Sequence, residues 1–341
     1  MSTTTMPNSH LHFDSQAYLA RINLTPDILA LHPNRSLPFL SLVVAHHRCA
    51  IPFENLATCG TFPVDPAHAD TSIGERVSLD PVRLFRKLVT DRRGGWCFEQ
   101  NALLATALRH FGFAVETVCG RVIAPTMDKE KGYLVKAMTH MLLLVQVDDE
   151  CQTYLCDVGF GGRGEPPVPL LVSSTAPKTT TPSGETYELR LVDKIRDRSR
   201  PESFTGDFYV PEQFADVPFS TATSTDFVLR YQKDAKAPIF PIYVFSTTAT
   251  MAHIDYDMAN WFSSTHPSSH FTQRIVCAKR TNDEHWSLTG RELKSTRHGH
   301  TIATRTLESD AHVLDVLKTL FGLESSVAAA TQPLSKASKV L

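Results

Sequence analysis

The chain contains 341 residues, of which 42% are hydrophobic and 21% are charged. This composition is typical of a soluble globular protein, and the length favours two or three domains with enough core to need no stabilising metal or disulfide. The 34 basic and 36 acidic residues nearly cancel, which disfavours a nucleic-acid partner because nucleic-acid-binding proteins concentrate positive charge.

The first third of the chain carries helix signals. Residues 1–12 are polar and lack the apolar core of a secretory signal, so they are predicted to be a disordered tail. Further on, Asp14 and Asp80 can cap helices, and Pro81 falls in a first turn, where proline is tolerated. These signals define a helical domain over residues 13–113. Apolar residues at helical spacing predict four helices in it, over about residues 16–22, 36–48, 80–88 and 97–110.

Apolar runs of strand length follow, and residues 148–150 are typical of a hairpin turn between two of them. They indicate an antiparallel β-barrel domain over residues 114–225, with strands over 114–123, 140–147, 152–159, 187–191 and 208–210. Mixed signals then predict an α/β lid over residues 226–324, with helices near 255–262 and 309–321 and strands near 274–279 and 301–307. Residues 325–341 are of low complexity and are predicted to be a flexible tail. No apolar run reaches the roughly 18 residues of a membrane span, so no membrane contact is expected.

Cys97 is the first candidate for chemistry. The seven cysteines are irregularly spaced, which predicts reduced thiols in a cytoplasmic protein. Gly94 and Gly95 allow a sharp turn just before a helix, and the first turn of a helix stabilises a thiolate. Such a cysteine becomes a nucleophile only when a base and an orienting group are near it. This segment alone leaves open whether Cys97 is a nucleophile or a small buried hydrophobic residue.

His140 and Asp157 are the candidate base and orienting group. If residues 140–147 and 152–159 form a hairpin centred between Asp149 and Glu150, His140 lies opposite Gly159, and Asp157 lies one diagonal step away on the same face. A loop of odd length would place the two side chains on opposite faces. A buried carboxylate needs a partner, which can be this histidine, an arginine or a backbone N–H group. Spacing alone leaves these alternatives open.

Five segments together resemble the arylamine N-acetyltransferase family. Residues 93–101, RGGWCFEQN, are similar to the family motif R-G-G-x-C-x-E-x-N. The other segments occur in the family's order within about residues 14–323. They are IPFENL at 51–56, THMLLLV at 139–145, DVGFGG at 157–162 and NWFSSTHPSSHFT at 260–272. Each is weak alone, but the set is specific.

The resemblance implies an α+β fold with an N-terminal helical bundle, a central antiparallel β-barrel and a C-terminal α/β lid, built on a core like that of cysteine proteases and transglutaminases. It also implies ping-pong transfer of an acyl group from acyl-CoA to the nitrogen of an arylamine or hydrazine, as in xenobiotic detoxification. The co-substrate acetyl-, propionyl- or malonyl-CoA is expected, with no permanently bound cofactor and no metal. A monomer is favoured.

The family's roles map onto individual residues. The resemblance assigns Cys97 as nucleophile, His140 as general base and acid, and Asp157 as orienting group. Glu54 and Arg93 are expected to form a buried ion pair that holds the loop before the nucleophile. Further positions match family contacts, namely Phe53, Thr139 and Phe160 for the substrate and Phe262 and Ser268 for CoA.

Two other functions remain possible from the residues. A transglutaminase-like or papain-like hydrolase would use the same three groups, but water or lysine would accept the acyl group. A non-catalytic module could hold a CoA ester or an aromatic ligand in the same pocket, and its Cys97 would be unreactive. A zinc site at His46, His47, Cys49 and Cys59 is disfavoured because no C-x-x-C pair is present.

Overall fold

The computed structural model describes residues 13–58, 77–125, 133–147, 152–192, 208–210, 225–281 and 284–323. The two predicted tails lie outside the described residues, and so does the predicted turn at 148–150. None of the helices in the described part of the chain is long and apolar enough to cross a membrane.

The helical domain forms where the capping signals predict it. The Asp14 side chain accepts a hydrogen bond from the Ala17 N–H at the first helix, and the Asp80 side chain does the same for the first turn of the fourth. This fourth helix continues as a π-helix over Arg86–Thr90. The helices are α1 (Ser15–Arg21), α2 (Pro26–Ala30), α3 (Leu37–Ala50), α4 (Pro81–Phe85) and α5 (Cys97–His110). Among these described helices, only α2, which is five residues long, was not predicted from the sequence.

A nine-stranded antiparallel sheet follows and curves into a nearly closed barrel. Along the chain its strands are β2 (Ala114–Pro125), β3 (Tyr133–Val147), β4 (Gln152–Cys156), β5 (Leu170–Leu171), β6 (Thr179–Thr180), β7 (Thr186–Val192), β8 (Phe208–Val210), β9 (Asp226–Gln232) and β10 (Phe240–Ser246). Their spatial order is β5-β4-β3-β2-β10-β9-β7-β6, and β8 pairs with β3.

From His140 to Val145, strand β3 is buried on both faces, which explains its unbroken apolar run. Leu143 and Val145 pack into the core of the helical domain, whereas Leu142 and Leu144 pack into the core of the barrel. The predicted hairpin register is confirmed, since Leu143 pairs with Cys156 and the ladder continues in that register to the end of the strand. His140 and Asp157 therefore share the barrel face of this hairpin.

The last part of the chain forms a second sheet and two further helices. The sheet contains β1 (Phe53–Glu54) from the helical domain, followed by β11 (Val276–Arg280), β12 (Glu284–Thr289), β13 (Glu292–Arg297) and β14 (His300–Thr306). The helices are α6 (His253–Thr265) and α7 (Asp310–Thr319). The expected α+β architecture of bundle, barrel and lid is confirmed.

The barrel was expected to end at residue 225, and this boundary is wrong because the barrel sheet continues beyond it. Strands β9 and β10 lie beyond it, yet they pair with β7 and β2 inside the barrel. Both strands are buried at five consecutive residues, so they lack the polar–apolar alternation that marks a half-exposed strand. Pro241 also argues against predicting a strand at β10, because proline disfavours an interior strand. The barrel therefore extends to Ser246.

The core of the helical domain contains a neutral histidine. His47 is fully buried, and its ring lies between the Tyr18 hydroxyl, 2.8 Å from Nδ1, and the Gln100 side-chain oxygen, 3.1 Å from Nε2. Burial lowers the pKa of His47 to about 3. The unfolded chain binds a proton at this residue below its ordinary pKa of about 6.5, whereas the folded chain does not.

This histidine is expected to make the fold sensitive to acid. Its contribution to stability is present above pH ~6.5 and is lost as pH falls toward 3, with a slope of at most about 1.4 kcal/mol per pH unit. Urea unfolding of wild type and His47→Gln across this window should show the weaker pH dependence in the variant. His312→Gln, on the exposed side of α7, is the matched surface control. Parallel curves for wild type and His47→Gln would contradict the prediction.

Candidate active site

Cys97 is the first residue of α5, and the preceding glycines are required by close packing. A side-chain carbon on Gly94 would lie 2.2 Å from the Pro52 carbonyl oxygen, which no rotation can relieve. The Gly95 N–H donates to that same oxygen at 3.3 Å, and the Gly95 carbonyl accepts from the Glu54 N–H at 3.2 Å. The loop before Cys97 is thereby held against strand β1.

The structure brings the three predicted catalytic residues together. His140 Nε2 lies 2.7 Å from Asp157 Oδ2, and both side chains are buried. The Cys97 side chain lies close enough to the same imidazole to influence its protonation, and its sulfur is 3.5 Å from the Thr139 carbonyl oxygen. Because Nε2 is engaged by the carboxylate, Nδ1 is the ring nitrogen left for the sulfur. A nucleophile, a base and an orienting group are thus aligned.

Asn101 and Gly159 fix the orienting carboxylate. Asp157 Oδ1 accepts from the Asn101 side-chain amide and from the Gly159 N–H, each at 3.0 Å. The other end of the Asn101 amide accepts from the Val158 N–H at 3.1 Å. Asn101 lies one helical turn after Cys97, so a single helix carries both the nucleophile and the residue that holds the carboxylate.

The electrostatics favour a charged pair of the His140 imidazolium and the Asp157 carboxylate at neutral pH. Burial alone would lower the pKa of His140, but the Asp157 carboxylate outweighs it and raises that pKa to about 10. Burial would raise the pKa of Asp157, but the imidazole and the N–H groups of Asn101 and Gly159 hold it below its ordinary value. His140 is therefore an imidazolium beside the cysteine sulfur at pH 7, and it can stabilise a thiolate there.

Two buried ion pairs support the loop before Cys97. Arg93 donates to Glu54 at 2.8 Å, as expected from the sequence, and the second Glu54 oxygen accepts from the Leu56 N–H at 2.6 Å. Lys87 lies 2.6 Å from Glu99, whose other oxygen accepts from the Trp96 N–H. Removing one partner of such a pair leaves an uncompensated buried charge.

The three residues matched to the substrate pocket surround the triad. The Phe160 ring lies edge-on to His140, with the ring centres 5.3 Å apart. Phe53 packs against Gly161, where a side-chain carbon would lie 2.4 Å from its ring. Thr139 precedes His140 and supplies the carbonyl next to the Cys97 sulfur. Their contact with a substrate stays a prediction.

The residues matched to CoA form a separate surface cluster at the end of α6. Phe262 stacks on the His266 ring with centres 4.5 Å apart, and Ser268 Oγ lies 2.7 Å from His266 Nδ1. Asn260, on the buried side of the same helix, accepts from the Trp96 indole N–H at 3.0 Å. This helix therefore links the cluster to the residue just before the nucleophile.

Sequence reasoning missed Tyr243. Its ring lies 4.9 Å from that of His140, and its buried hydroxyl lies near Asp157 without a hydrogen bond of normal geometry to any described residue. Burial, and then the Asp157 carboxylate, raise the pKa of Tyr243 well above its ordinary value. No local signal could find it, because it reaches the site only through the pairing of β10 with β2, the strand next to β3. Asn101 carried a usable signal, namely its four-residue spacing from Cys97.

Among the described residues, no group of three or more His, Cys, Asp or Glu side chains is arranged to hold a metal ion. The described members of the disfavoured zinc set have other surroundings. His46 Nδ1 lies 3.2 Å from the Ile22 carbonyl oxygen, and His47 is engaged on both ring nitrogens. Cys59 lies outside the described residues.

Cys97 is expected to be the first of the seven cysteines to react with iodoacetamide near pH 7. Among the cysteines that the structure describes, it alone combines a helix start with an adjacent imidazolium, whereas burial raises the pKa of Cys49, Cys119 and Cys156. Peptide mass spectrometry at increasing labelling times gives the order, and activity should fall in step with Cys97 modification. Earlier labelling of another cysteine with activity retained would refute the assignment.

Comparisons with known proteins agree along the chain. A family model described as N-acetyltransferase matches residues 36–330. The arylamine N-acetyltransferase of Mycolicibacterium smegmatis is 32% identical over 96% of this chain and 98% of its own. An N-malonyltransferase of Fusarium pseudograminearum is 33% identical over 79% of this chain and 71% of its own.

Solved structures show the same fold. The structure of the Mycobacterium marinum arylamine N-acetyltransferase in complex with CoA superposes with a TM-score of 0.66 and 31% identity, over 91% of this chain and 92% of that chain. The M. smegmatis enzyme superposes with a TM-score of 0.69 over 92% and 93%. Sequence and fold agree over nearly the whole length, and the chain is an acyltransferase that belongs to the arylamine N-acetyltransferase family.

Proposed function

We propose that the protein transfers an acyl group from acyl-CoA, through a thioester on Cys97, to the nitrogen of an arylamine or hydrazine. The observation that carries the proposal is the buried 2.7 Å contact between His140 and Asp157 beside a cysteine at a helix start. The CoA-bound relative supports the donor class, and the names of the relatives support the acceptor class. In a cell this activity would serve the detoxification of aromatic amines in the cytoplasm.

In the first half-reaction, the Cys97 thiolate attacks the carbonyl carbon of the donor thioester. The bond between that carbon and the CoA sulfur breaks, and the leaving thiolate takes a proton from the His140 imidazolium. CoA departs as a free thiol, which leaves an acylated Cys97 and a neutral imidazole held by Asp157. The Asp157 carboxylate holds the imidazole ring in one orientation, so His140 donates this proton from a fixed position.

In the second half-reaction, the amine nitrogen attacks the Cys97 thioester and gives its proton to His140. The carbon–sulfur bond breaks, the amide product leaves, and the thiolate–imidazolium pair is restored. Phe53 and Phe160 provide aromatic surface beside the reacting sulfur, which favours an aromatic acceptor through edge and stacking contacts. Both substrates must reach the same sulfur, so CoA leaves before the amine attacks.

The acyl group is the open variable of this proposal. The relatives include arylamine N-acetyltransferases and fungal N-malonyltransferases at similar identity. Acetyl-, propionyl- and malonyl-CoA, offered together in equal amounts, would compete for Cys97, and the mass of the acylated protein would identify the preferred donor. A malonyl preference requires a cation near the sulfur to pair with the second carboxylate.

An acylated protein should accumulate when acyl-CoA is supplied without amine, and it should disappear on addition of an aromatic amine or hydrazine. Intact mass spectrometry follows both steps, and Cys97→Ser is the control that should not form the thioester. Steady-state double-reciprocal plots should be parallel, as a covalent intermediate requires.

Three outcomes would contradict the proposal in different ways. Intersecting plots without an adduct would indicate direct transfer in a ternary complex. Hydrolysis of the acylated Cys97 in the absence of amine, at the same rate as its loss in the presence of amine, would favour a hydrolase. Binding of acyl-CoA by a protein whose Cys97 resists iodoacetamide would favour a non-catalytic binding module.

A further inference from the structure

A chain of three fully buried polar side chains runs from α1 to the loop before Cys97. The Tyr18 hydroxyl lies 2.8 Å from His47 Nδ1, and His47 Nε2 lies 3.1 Å from Gln100 Oε1. Gln100 occupies one of the variable positions of the motif R-G-G-x-C-x-E-x-N. The residue in this position is therefore a property of this chain and is not specified by the family pattern.

The surroundings of Gln100 fix which way its amide points. Its nitrogen lies 3.2 Å from the Ile51 carbonyl oxygen, 3.0 Å from that of Pro52 and 3.2 Å from that of Gly95. Carbonyl oxygens can only accept, so the NH₂ end must face them, and the oxygen end must face His47. That oxygen needs a donor, and the only ring atom in reach is Nε2.

His47 must therefore carry its proton on Nε2. Burial keeps the ring neutral, with its pKa lowered to about 3, so Nδ1 holds a lone pair and accepts from the Tyr18 hydroxyl. Burial also raises the pKa of Tyr18, which keeps its proton on oxygen. Every donor in this series of hydrogen bonds then points the same way, from Tyr18 through His47 and Gln100 to the three carbonyls.

The receiving carbonyls belong to two adjoining segments, residues 51–52 and the loop just before Cys97. Ile51 and Pro52 directly precede Phe53, whose ring packs beside the Phe160 loop, and Gly95 is two residues before Cys97. Gln100 itself lies on the same helix as Cys97, one turn further on. One amide group thus ties the helix of the nucleophile to residues 51–52 and to the loop that directly precedes Cys97.

We propose that Gln100 is a positioning residue for Cys97, and that the Tyr18–His47 chain holds its amide in the productive orientation. The inference rests on the proposed role of Cys97 as nucleophile. The Gln100 side chain bonds to His47 and to the three carbonyls, so it would act through the backbone of the loop. Displacement of a reacting atom by about 1 Å can cost on the order of 10²-fold in rate, so loss of this clamp should be visible in the chemistry of Cys97.

The test compares Gln100→Met with wild type. Methionine keeps the length of the side chain but donates to none of the three carbonyls and accepts nothing of comparable strength from His47. The rate constant for iodoacetamide at Cys97, and the rate of acylation by acyl-CoA, are each expected to fall about 10-fold or more. Val43→Ala, one turn before His47 in the same core, is the matched control that destabilises the domain without touching the clamp.

Melting temperatures separate positioning from simple loss of stability. Gln100→Met should lose Cys97 reactivity well below its melting temperature, and Val43→Ala should keep wild-type reactivity there. Equal reactivity of wild type and Gln100→Met would overturn the inference while leaving the proposed function intact. An unreactive Cys97 in the wild type would instead defeat the proposed function.

A second measurement needs no variant and remains available if Gln100→Met fails to fold. Nitrogen-15 NMR of the His47 ring in the full chain should show a protonated Nε2 and a bare Nδ1 at neutral pH. The opposite tautomer, or a doubly protonated ring, would break the chain of donors and overturn the inference. Tyr18→Phe should then shift the Nδ1 resonance, because it removes the one donor to that nitrogen.

Discussion

Asp157→Asn is expected to lower turnover by about 10⁴-fold, the loss that the same change causes in Ser–His–Asp triads. Asp157 is an acceptor only, and it receives hydrogen bonds from His140, Asn101 and the Gly159 N–H. An asparagine would turn an NH₂ group toward one of these donors, or force His140 into the other tautomer. The imidazolium beside Cys97 would also lose the charge that stabilises it.

Binding of the donor should change far less than turnover, because the carboxylate is buried behind the imidazole. Single-turnover acylation of the protein and equilibrium binding of CoA measure the two quantities separately. Asp257→Asn is the matched control, since it alters only an exposed pair with His253 on α6, worth at most about 1 kcal/mol. A folded Asp157→Asn protein with near-normal turnover would show that these residues are not a triad.

Local sequence patterns were enough to predict contacts between residues that are close in sequence. Asp14 and Asp80 cap the helices that their positions predict, and strand alternation gave the register of the β3–β4 hairpin. That register places His140 and Asp157 on one face, and the observed 2.7 Å contact agrees with it. Side chains alternate strictly between the two faces of a strand, so the register of a short hairpin can be predicted from its sequence.

The contacts that sequence reasoning missed span long separations. Tyr243 reaches His140 because β10 pairs with β2, the strand next to β3, although the two residues are far apart in the sequence. Arg21 is buried and donates to the carbonyls of Leu88, Ala50 and the loop at Arg92 and Arg93. A basic residue at a helix end is normally solvated, and nothing near it in the chain indicates that four carbonyl groups surround it.

Long-range partners therefore decide the shape of the site, while local patterns decide its chemistry. The cysteine, histidine and aspartate are recognisable by residue type and spacing. Asn101 carries only its spacing from Cys97 as a local signal, and Tyr243 and the Tyr18–His47–Gln100 chain become visible only when the helices and strands are packed. Asn101, for example, holds the Asp157 carboxylate rather than reacting, and such an orientation is a property of the folded chain.

Gly159→Ala is expected to reduce acylation of Cys97 by about 10²-fold or more. A side-chain carbon at Gly159 would lie 2.6 Å from the Cys97 α-carbon and 2.9 Å from the Asn101 amide nitrogen. The first contact is with backbone, so no rotamer can relieve it, and α5 must shift away from the hairpin. That shift separates the sulfur from His140 and pulls Asn101 away from Asp157.

The backbone conformation of Gly159 is accessible to alanine, so the predicted loss comes from the collision alone. Gly290→Ala is the matched control, since it lies in the β12–β13 turn with a φ of +58° and open space around it. That variant should lose about 1 kcal/mol of stability from the left-handed backbone and keep its acylation rate. Acylation kinetics at a temperature where both variants are folded would compare the two effects. A Gly159→Ala protein that forms the thioester at the wild-type rate would show that the α5–hairpin contact tolerates the added carbon, and that the sulfur and the imidazole do not depend on it for their alignment.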